Sequence, residues 1–154
     1  MSFQEALKKS AEILKQGGVI LYPTDTVWGI GCDAKNEAAV EKVFALKKRA
    51  DTKSMLCLVA NVAMLERHIA QVPEAAYDII DLSEKPTTII FDQPIGVAKN
   101  LIGPDNSLGI RVAKDKFCSY LSQNIKGPLV STSANLSGQP TPKNFQEISQ
   151  EILK

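Results

Sequence analysis

Phe3, Leu7, Ala11 and Leu14 recur at the spacing of a helical stripe, with Ser2 and Glu5 placed as a capping box ahead of them and Gly17-Gly18 closing the pattern. An amphipathic helix is predicted there. The period then changes. Val19-Ile20-Leu21-Tyr22 is an unbroken apolar run stopped by Pro23, which reads as a buried strand, and the polar turn Thr24-Asp25-Thr26 follows it directly. A second helix is capped by Asn36, carries Ala39, Val40, Val43, Phe44 and Leu46 on its apolar face, and ends in Lys47-Lys48-Arg49. Residues 55–60 read as the next strand. Asn61 and Pro73 each suit the start of a further helix, and residues 87–91 have the β-branched and aromatic content of a strand. After a break at Gly103-Pro104, residues 107–112 form a fourth predicted strand, and Asp115 caps a helix through Leu121. Gly127-Pro128 turns the chain into a fifth strand at 129–132, which runs into Ser133-Ala134-Asn135. Asn144 with Glu147 opens a last helix.

Strands alternating with helices predict an α/β fold in which helices flank a sheet and polar turns at strand ends offer ligand sites. The 154 residues suffice for one domain with its own core and not for two, so residues 1–154 are expected to form a single unit. With 44% apolar and 23% charged residues the chain belongs with globular proteins and not with disordered ones. A net charge of +1 excludes polyanion binding by bulk charge, which leaves local clusters of Lys and Arg to do any such work. Cys32, Cys57 and Cys118 are odd in number, far apart and in no C-x-x-C arrangement, so neither a disulfide framework nor a zinc site is expected. They read as small buried thiols of a reducing cytosol. The N-terminus lacks a charged start followed by an apolar run, and no stretch approaches the length of a membrane span; a cytoplasmic protein with no membrane partner is expected.

Three segments carry candidate chemistry. Lys47, Arg49 and Lys53 gather cations of different geometry, a forked guanidinium and mobile ammonium groups, which could hold a triphosphate; they equally suit the negative end of a helix dipole, pointing into water. Ser131-Thr132-Ser133-Ala134-Asn135 could present hydroxyls, an amide and backbone N–H groups to an anion, or be an ordinary polar turn; no P-loop pattern is present. In Tyr22-Pro23-Thr24-Asp25-Thr26-Val27-Trp28-Gly29, hydroxyls and a carboxylate leave a strand beside aromatic surface and could grip a small amino acid, unless Asp25 only caps the turn and Trp28 fills the core. Gly29-Ile30-Gly31-Cys32-Asp33-Ala34 fits a loose G-x-G-x-x-A dinucleotide pattern, but the six residues before it separate it from the strand end and no acidic residue follows at the required distance. The single His68 is expected on a solvated helix face, which leaves triad and histidine-metal mechanisms almost no material. Attack of an existing carboxylate on the α-phosphate of ATP suits these residues better, because the nucleophile is already anionic and cations help pyrophosphate leave.

Taken together and in this order, the segments resemble the YrdC-like family of threonylcarbamoyl-AMP synthases. Pro23 through Asp33 follow P-T-[DE]-T-V-[YFW]-G-[LIV]-G-x-D, Leu46-Lys47-Lys48-Arg49 with Lys53 follow L-K-x-R and its basic loop, Ser107 and Arg111 follow S-x-x-x-R-[VIL], and Pro128 through Gly138 follow P-L-V-[SA]-T-S-A-N-x-S-G. The resemblance implies a YrdC/RibB-like fold with a twisted mixed sheet. It also implies an enzyme that makes threonylcarbamoyl-adenylate and pyrophosphate from L-threonine, bicarbonate and ATP with Mg²⁺. Partner transferases would then place the threonylcarbamoyl group on a tRNA adenosine. By position, Lys47, Arg49, Ser131, Ser133 and Asn135 would hold the nucleotide, with Lys47 and Arg49 catalytic. Thr24, Thr26, Lys53, Thr88 and Arg111 would hold the substrate, and no metal-ligating side chain is assigned. Where the family has P-G-P-x-T, this chain has Glu84-Lys85-Pro86-Thr87-Thr88 at the edge of the implied substrate pocket. Only nineteen residues follow Asn135, so the family's usual C-terminal extension is expected to be shortened. The rival from another class is a non-catalytic RNA-binding protein of the same fold, with weak RNA binding in the same basic cavity. A carbamoyl-adenylate-forming domain and a dinucleotide-binding domain rank below it.

Overall fold

The computed structural model describes residues 3–23, 28–47, 55–84, 87–102 and 105–133. In chain order the elements are α1 (Phe3–Lys15), β1 (Ile20–Pro23), β2 (Trp28–Asp33), α2 (Glu37–Lys47), β3 (Leu56–Val59), α3 (Val62–His68), α4 (Glu74–Leu82), β4 (Ile89–Asp92), a 3₁₀ turn (Lys99–Leu101), β5 (Ser107–Val112), α5 (Lys116–Ile125) and β6 (Leu129–Ser133). They form an α/β fold around one mixed six-stranded sheet of order β1-β2-β6-β3-β5-β4, in which only β3 and β5 run parallel.

The helices start where side-chain acceptors permit. Asn61 Oδ1 accepts from the Met64 N–H at 2.9 Å, and an Asp115 carboxylate oxygen accepts from the Cys118 N–H at 3.0 Å. Asn36 Oδ1 accepts from the Ala39 N–H at 3.0 Å. At the far end of α5, Lys35 Nζ donates to the carbonyls of Ile125 and Lys126, so a cation satisfies acceptors that the helix leaves open.

Register divides the strand residues between two faces, since directly paired residues point the same way. Ile20 and Tyr22 of β1, Leu58 of β3 and Leu129 of β6 share one face and pack with Leu14 of α1 and Cys118, Leu121 and Ile125 of α5. Ile30 and Cys32 of β2, Val130, Cys57, Val59, Ile110 and Phe91 occupy the other face, beneath residues of α2, α3 and α4. At about 25 cal/mol per Å² of buried apolar surface, these two layers are the main source of stability.

Several sequence expectations are corrected. Among the described residues the sheet has six strands and not five, because Trp28–Asp33 form β2, overlapping the segment at 29–34 weighed as a dinucleotide pattern. Its two glycines depress strand propensity, yet Gly31 lies beneath the Tyr22 ring, where a side chain would collide. Strand β1 is an edge strand, a place where Pro23, which has no N–H to donate, fits. Helix α5 continues past Leu121 to Ile125, and β4 begins at Ile89, two residues later than expected. His68 is half-buried at the end of α3, with Nδ1 donating to the Ile95 carbonyl at 3.0 Å, and is not on a fully solvated face. All three cysteines are buried and free, as expected. The helix expected from Asn144 lies outside the described residues.

Candidate active site

Strand directions bring described residues that border the three candidate segments to one end of the sheet. Strand β1 ends there with Pro23, β2 begins there with Trp28, β6 ends there with Ser133 opposite Gly29, and β3 begins there with Leu56 opposite Ser131. Pro23, Trp28, Leu56 and Ser133, described residues that border or end the candidate segments, therefore lie at this end. Residues far apart in sequence thus meet at one rim.

The face shared with α1 and α5 is only partly covered. Toward β4 and β5 it is open: Ile90 is 74% exposed, Thr88 is exposed, and Leu56, Gly109 and Arg111 are half-buried. Leu56 pairs with Ser131, Leu58 with Arg111, and Ile90 with Gly109, so these residues share one face of the sheet; α1 and α5 cover that face over Leu58, and Ser131 is buried as well. Gly109 lowers its floor. A Cβ there would stand 3.2 Å from the Thr88 methyl and 3.8 Å from Leu56 Cβ. Thr88 precedes Ile89, which pairs with Ile110, so it comes level with Arg111. The start of β4 is tied down: Thr87 Oγ1 donates to Ser83 Oγ at 3.2 Å, and Lys114 Nζ donates to the Ser83 carbonyl.

Next to this floor the Tyr22 ring leans over Gly31. Its Cε1 lies 2.6 Å, and its hydroxyl 3.2 Å, from where a Gly31 Cβ would stand, and Gly31 is opposite Ser131. Tyr22 is 2% exposed and Ser131 6%. Burial pushes the Tyr22 hydroxyl far above its ordinary range, with Cys118 adding to the rise and Ser131 and Arg111 opposing it. The phenol therefore stays neutral, beside the Ser131 hydroxyl and within electrostatic reach of the Arg111 guanidinium.

Of the residues singled out in the sequence, the structure places Ser131, Arg111 and Thr88 on one face. Lys47 is the last residue of α2, and the backbone of Ser133 ends β6 at the rim, opposite Gly29. Thr24, Thr26, Arg49, Lys53 and Asn135 lie outside the described residues. Sequence reasoning did not single out Gly31 and Gly109 as the floor, nor the hydroxyl of Tyr22. The G-x-G period of two, which puts both β2 glycines on one face, was the available signal. Chemically, a neutral hydroxyl, a guanidinium and a small-residue floor suit an anionic ligand lying across β5, β3 and β6.

Comparison with known proteins bears on the same elements. The Sua5/YciO/YrdC family, described as "Telomere recombination", matches residues 12–154. The chain belongs to this family. Among curated relatives, the threonylcarbamoyl-AMP synthase of Stenotrophomonas maltophilia is 34% identical over 152 residues, covering 96% of this chain and 81% of the relative. That of Pseudoalteromonas translucida is 34% identical over 157 residues, covering 100% and 84%. Both carry the name of a nucleotidyltransferase-type enzyme. Among solved structures, P. abyssi Sua5 complexed with L-threonine superposes with a TM-score of 0.86 at 23% identity, over 96% of this chain and 44% of that one. E. coli YciO superposes at 0.76 with 24% identity, over 88% and 66%. These two likenesses establish the Sua5/YciO/YrdC fold, and the chain spans under half the length of P. abyssi Sua5.

Proposed function

We propose that this chain is a threonylcarbamoyl-AMP synthase, which joins L-threonine, bicarbonate and Mg²⁺-complexed ATP into threonylcarbamoyl-adenylate with release of pyrophosphate and water. The observation that supports the reading is the meeting of Pro23, Trp28, Leu56 and Ser133 at one rim of the sheet, beside a face on which Ser131, Arg111 and Thr88 lie. The relatives' name and the threonine complex of P. abyssi Sua5 support the same substrates.

In this reading the threonine amine and bicarbonate give a carbamate, whose carboxylate oxygen attacks the α-phosphate; the bond to the β-phosphate breaks and pyrophosphate departs. The protein supplies position and charge rather than a proton relay. Lys47 and Arg49, with Ser131, Ser133 and Asn135, hold the phosphates and balance the charge developing on the leaving group. Arg111 and Lys53 neutralise the substrate carboxylates, and Thr24, Thr26 and Thr88 line the threonine pocket. The product serves cytoplasmic transferases that modify tRNA, and weak RNA binding at the same rim accompanies this role.

Pyrophosphate release from ATP, with bicarbonate present and threonine present or omitted, tests the reading. Threonine-dependent release that disappears in Lys47→Ala supports it. Nucleotide binding without release in any condition, or salt-sensitive RNA binding without nucleotide binding, refutes it.

A further inference from the structure

Among the described residues the buried Tyr22 hydroxyl closes no hydrogen bond of full geometry and has only a loose approach to the Ser131 hydroxyl, although the rest of the ring is well placed, tilted against Phe117 at 6.5 Å between centroids and laid over Gly31. A buried hydroxyl without a partner costs about 1–3 kcal/mol, and phenylalanine would provide the same packing without that penalty. Packing therefore accounts for the ring and leaves the hydroxyl unexplained. Its direction is informative. The ring crosses Gly31, and the next residue across the sheet at that level is Ser131, on the face that carries Arg111.

We infer that Tyr22 is a positioning residue for Ser131: when an anionic ligand binds, the phenol O–H donates to Ser131 Oγ and turns the Ser131 O–H toward a phosphate oxygen. This deepens the nucleotide reading given above and rests on it. A hydroxyl that accepts one hydrogen bond donates the next more strongly, so the pair delivers a polarised donor to the ligand where Ser131 alone would be free to rotate. The groups facing Tyr22 are Ser131 and Arg111 from the sheet and Cys118 and Asp115 from α5 and its cap. Burial keeps the phenol protonated, so it remains a donor throughout the working pH range. Gly31 makes the arrangement possible, since any side chain there would push the ring away from Ser131.

The test compares wild type, Tyr22→Phe, Ser131→Ala and the double variant for thermal midpoint without ligand, ATP affinity by calorimetry, and threonine-dependent pyrophosphate release. Tyr22→Phe is expected to keep or raise the unliganded midpoint, because it removes a loosely partnered polar group, while weakening ATP binding about 3–10-fold. The double variant is expected to bind no worse than Ser131→Ala alone. A lowered midpoint or failure to fold in Tyr22→Phe, unchanged ATP affinity, or losses that multiply in the double variant would each overturn the inference. If wild-type protein binds ATP and turns over but Tyr22→Phe matches it, only this inference falls. If wild type neither binds nor turns over, the nucleotide reading falls and takes it along.

Discussion

Gly31→Ala probes how tightly β1 and β2 are fitted. The new methyl would stand 2.6 Å from Tyr22 Cε1 and 2.9 Å from the Val130 carbonyl oxygen. Carbon atoms in contact settle near 3.5–4.0 Å, so the ring would have to retreat by about 1 Å, and the carbonyl belongs to a strand at the centre of the sheet. Overpacking of this kind costs about 1–3 kcal/mol, offset by up to about 1 kcal/mol from the less flexible unfolded chain. The net loss of about 1–2 kcal/mol should lower the thermal midpoint by roughly 2–8 °C in a chain of this size. Gly109→Ala is the matched control, since its methyl would meet the Thr88 methyl at 3.2 Å, and Thr88 is exposed and can turn away. Its stability should stay within about 0.5 kcal/mol of wild type, while the raised floor beside Arg111 weakens substrate binding. Thermal melts followed by circular dichroism, with substrate KM alongside, separate the two effects. A Gly31→Ala protein as stable as wild type would refute the placement of Tyr22 over β2, and equal destabilisation by Gly109→Ala would refute an open face.

Other consequences are smaller or local. Asn61→Ala and Asp115→Ala each remove a side-chain acceptor at a helix start and should lose about 1 kcal/mol in urea unfolding. Burial, and next the positive charges of Arg67 and Lys35, hold His68 below its ordinary value of 6.5, against an opposing hydrogen bond to Ile95. The unfolded chain therefore binds its proton first, and stability should decline as pH falls from above 6.5 through the lower folded value. In His68→Asn that part of the pH dependence should vanish, as denaturation midpoints across pH 5–7.5 would reveal. Burial pushes the Cys32 thiol up to about 12 and raises Cys57 as well, so a thiol-specific reagent at pH 8 should label these positions only at the rate of unfolding and label all three cysteines rapidly in denaturant.

Most of the fold was legible because its helices and strands keep clean periods. The stripe Phe3, Leu7, Ala11 and Leu14 is α1, and the caps at Asn61 and Asp115 mark α3 and α5 where structure has them. Strand β2 was not legible for a physical reason: local propensity penalises glycine in strands, and the need for Gly31 arises only when the Tyr22 ring crosses it from β1. The late start of β4 likewise follows from ties between Ser83, Thr87 and Lys114 that no local pattern contains. At the site, the motif segments were readable because their residue types fit anion binding. The face that Ser131 and Arg111 share was not, since the placement of Ser131 beside Leu56 and of Arg111 beside Leu58 depends on register across β6, β3 and β5.

Incubation with ¹³C-bicarbonate, ATP, Mg²⁺ and L-threonine, followed by mass analysis of the adenylates formed, tests the central claim most directly. The account requires a labelled product containing AMP, one threonine and one carbon from bicarbonate, formed only with threonine and lost in Lys47→Ala. Absence of that product from wild-type protein that is folded and binds ATP would contradict it.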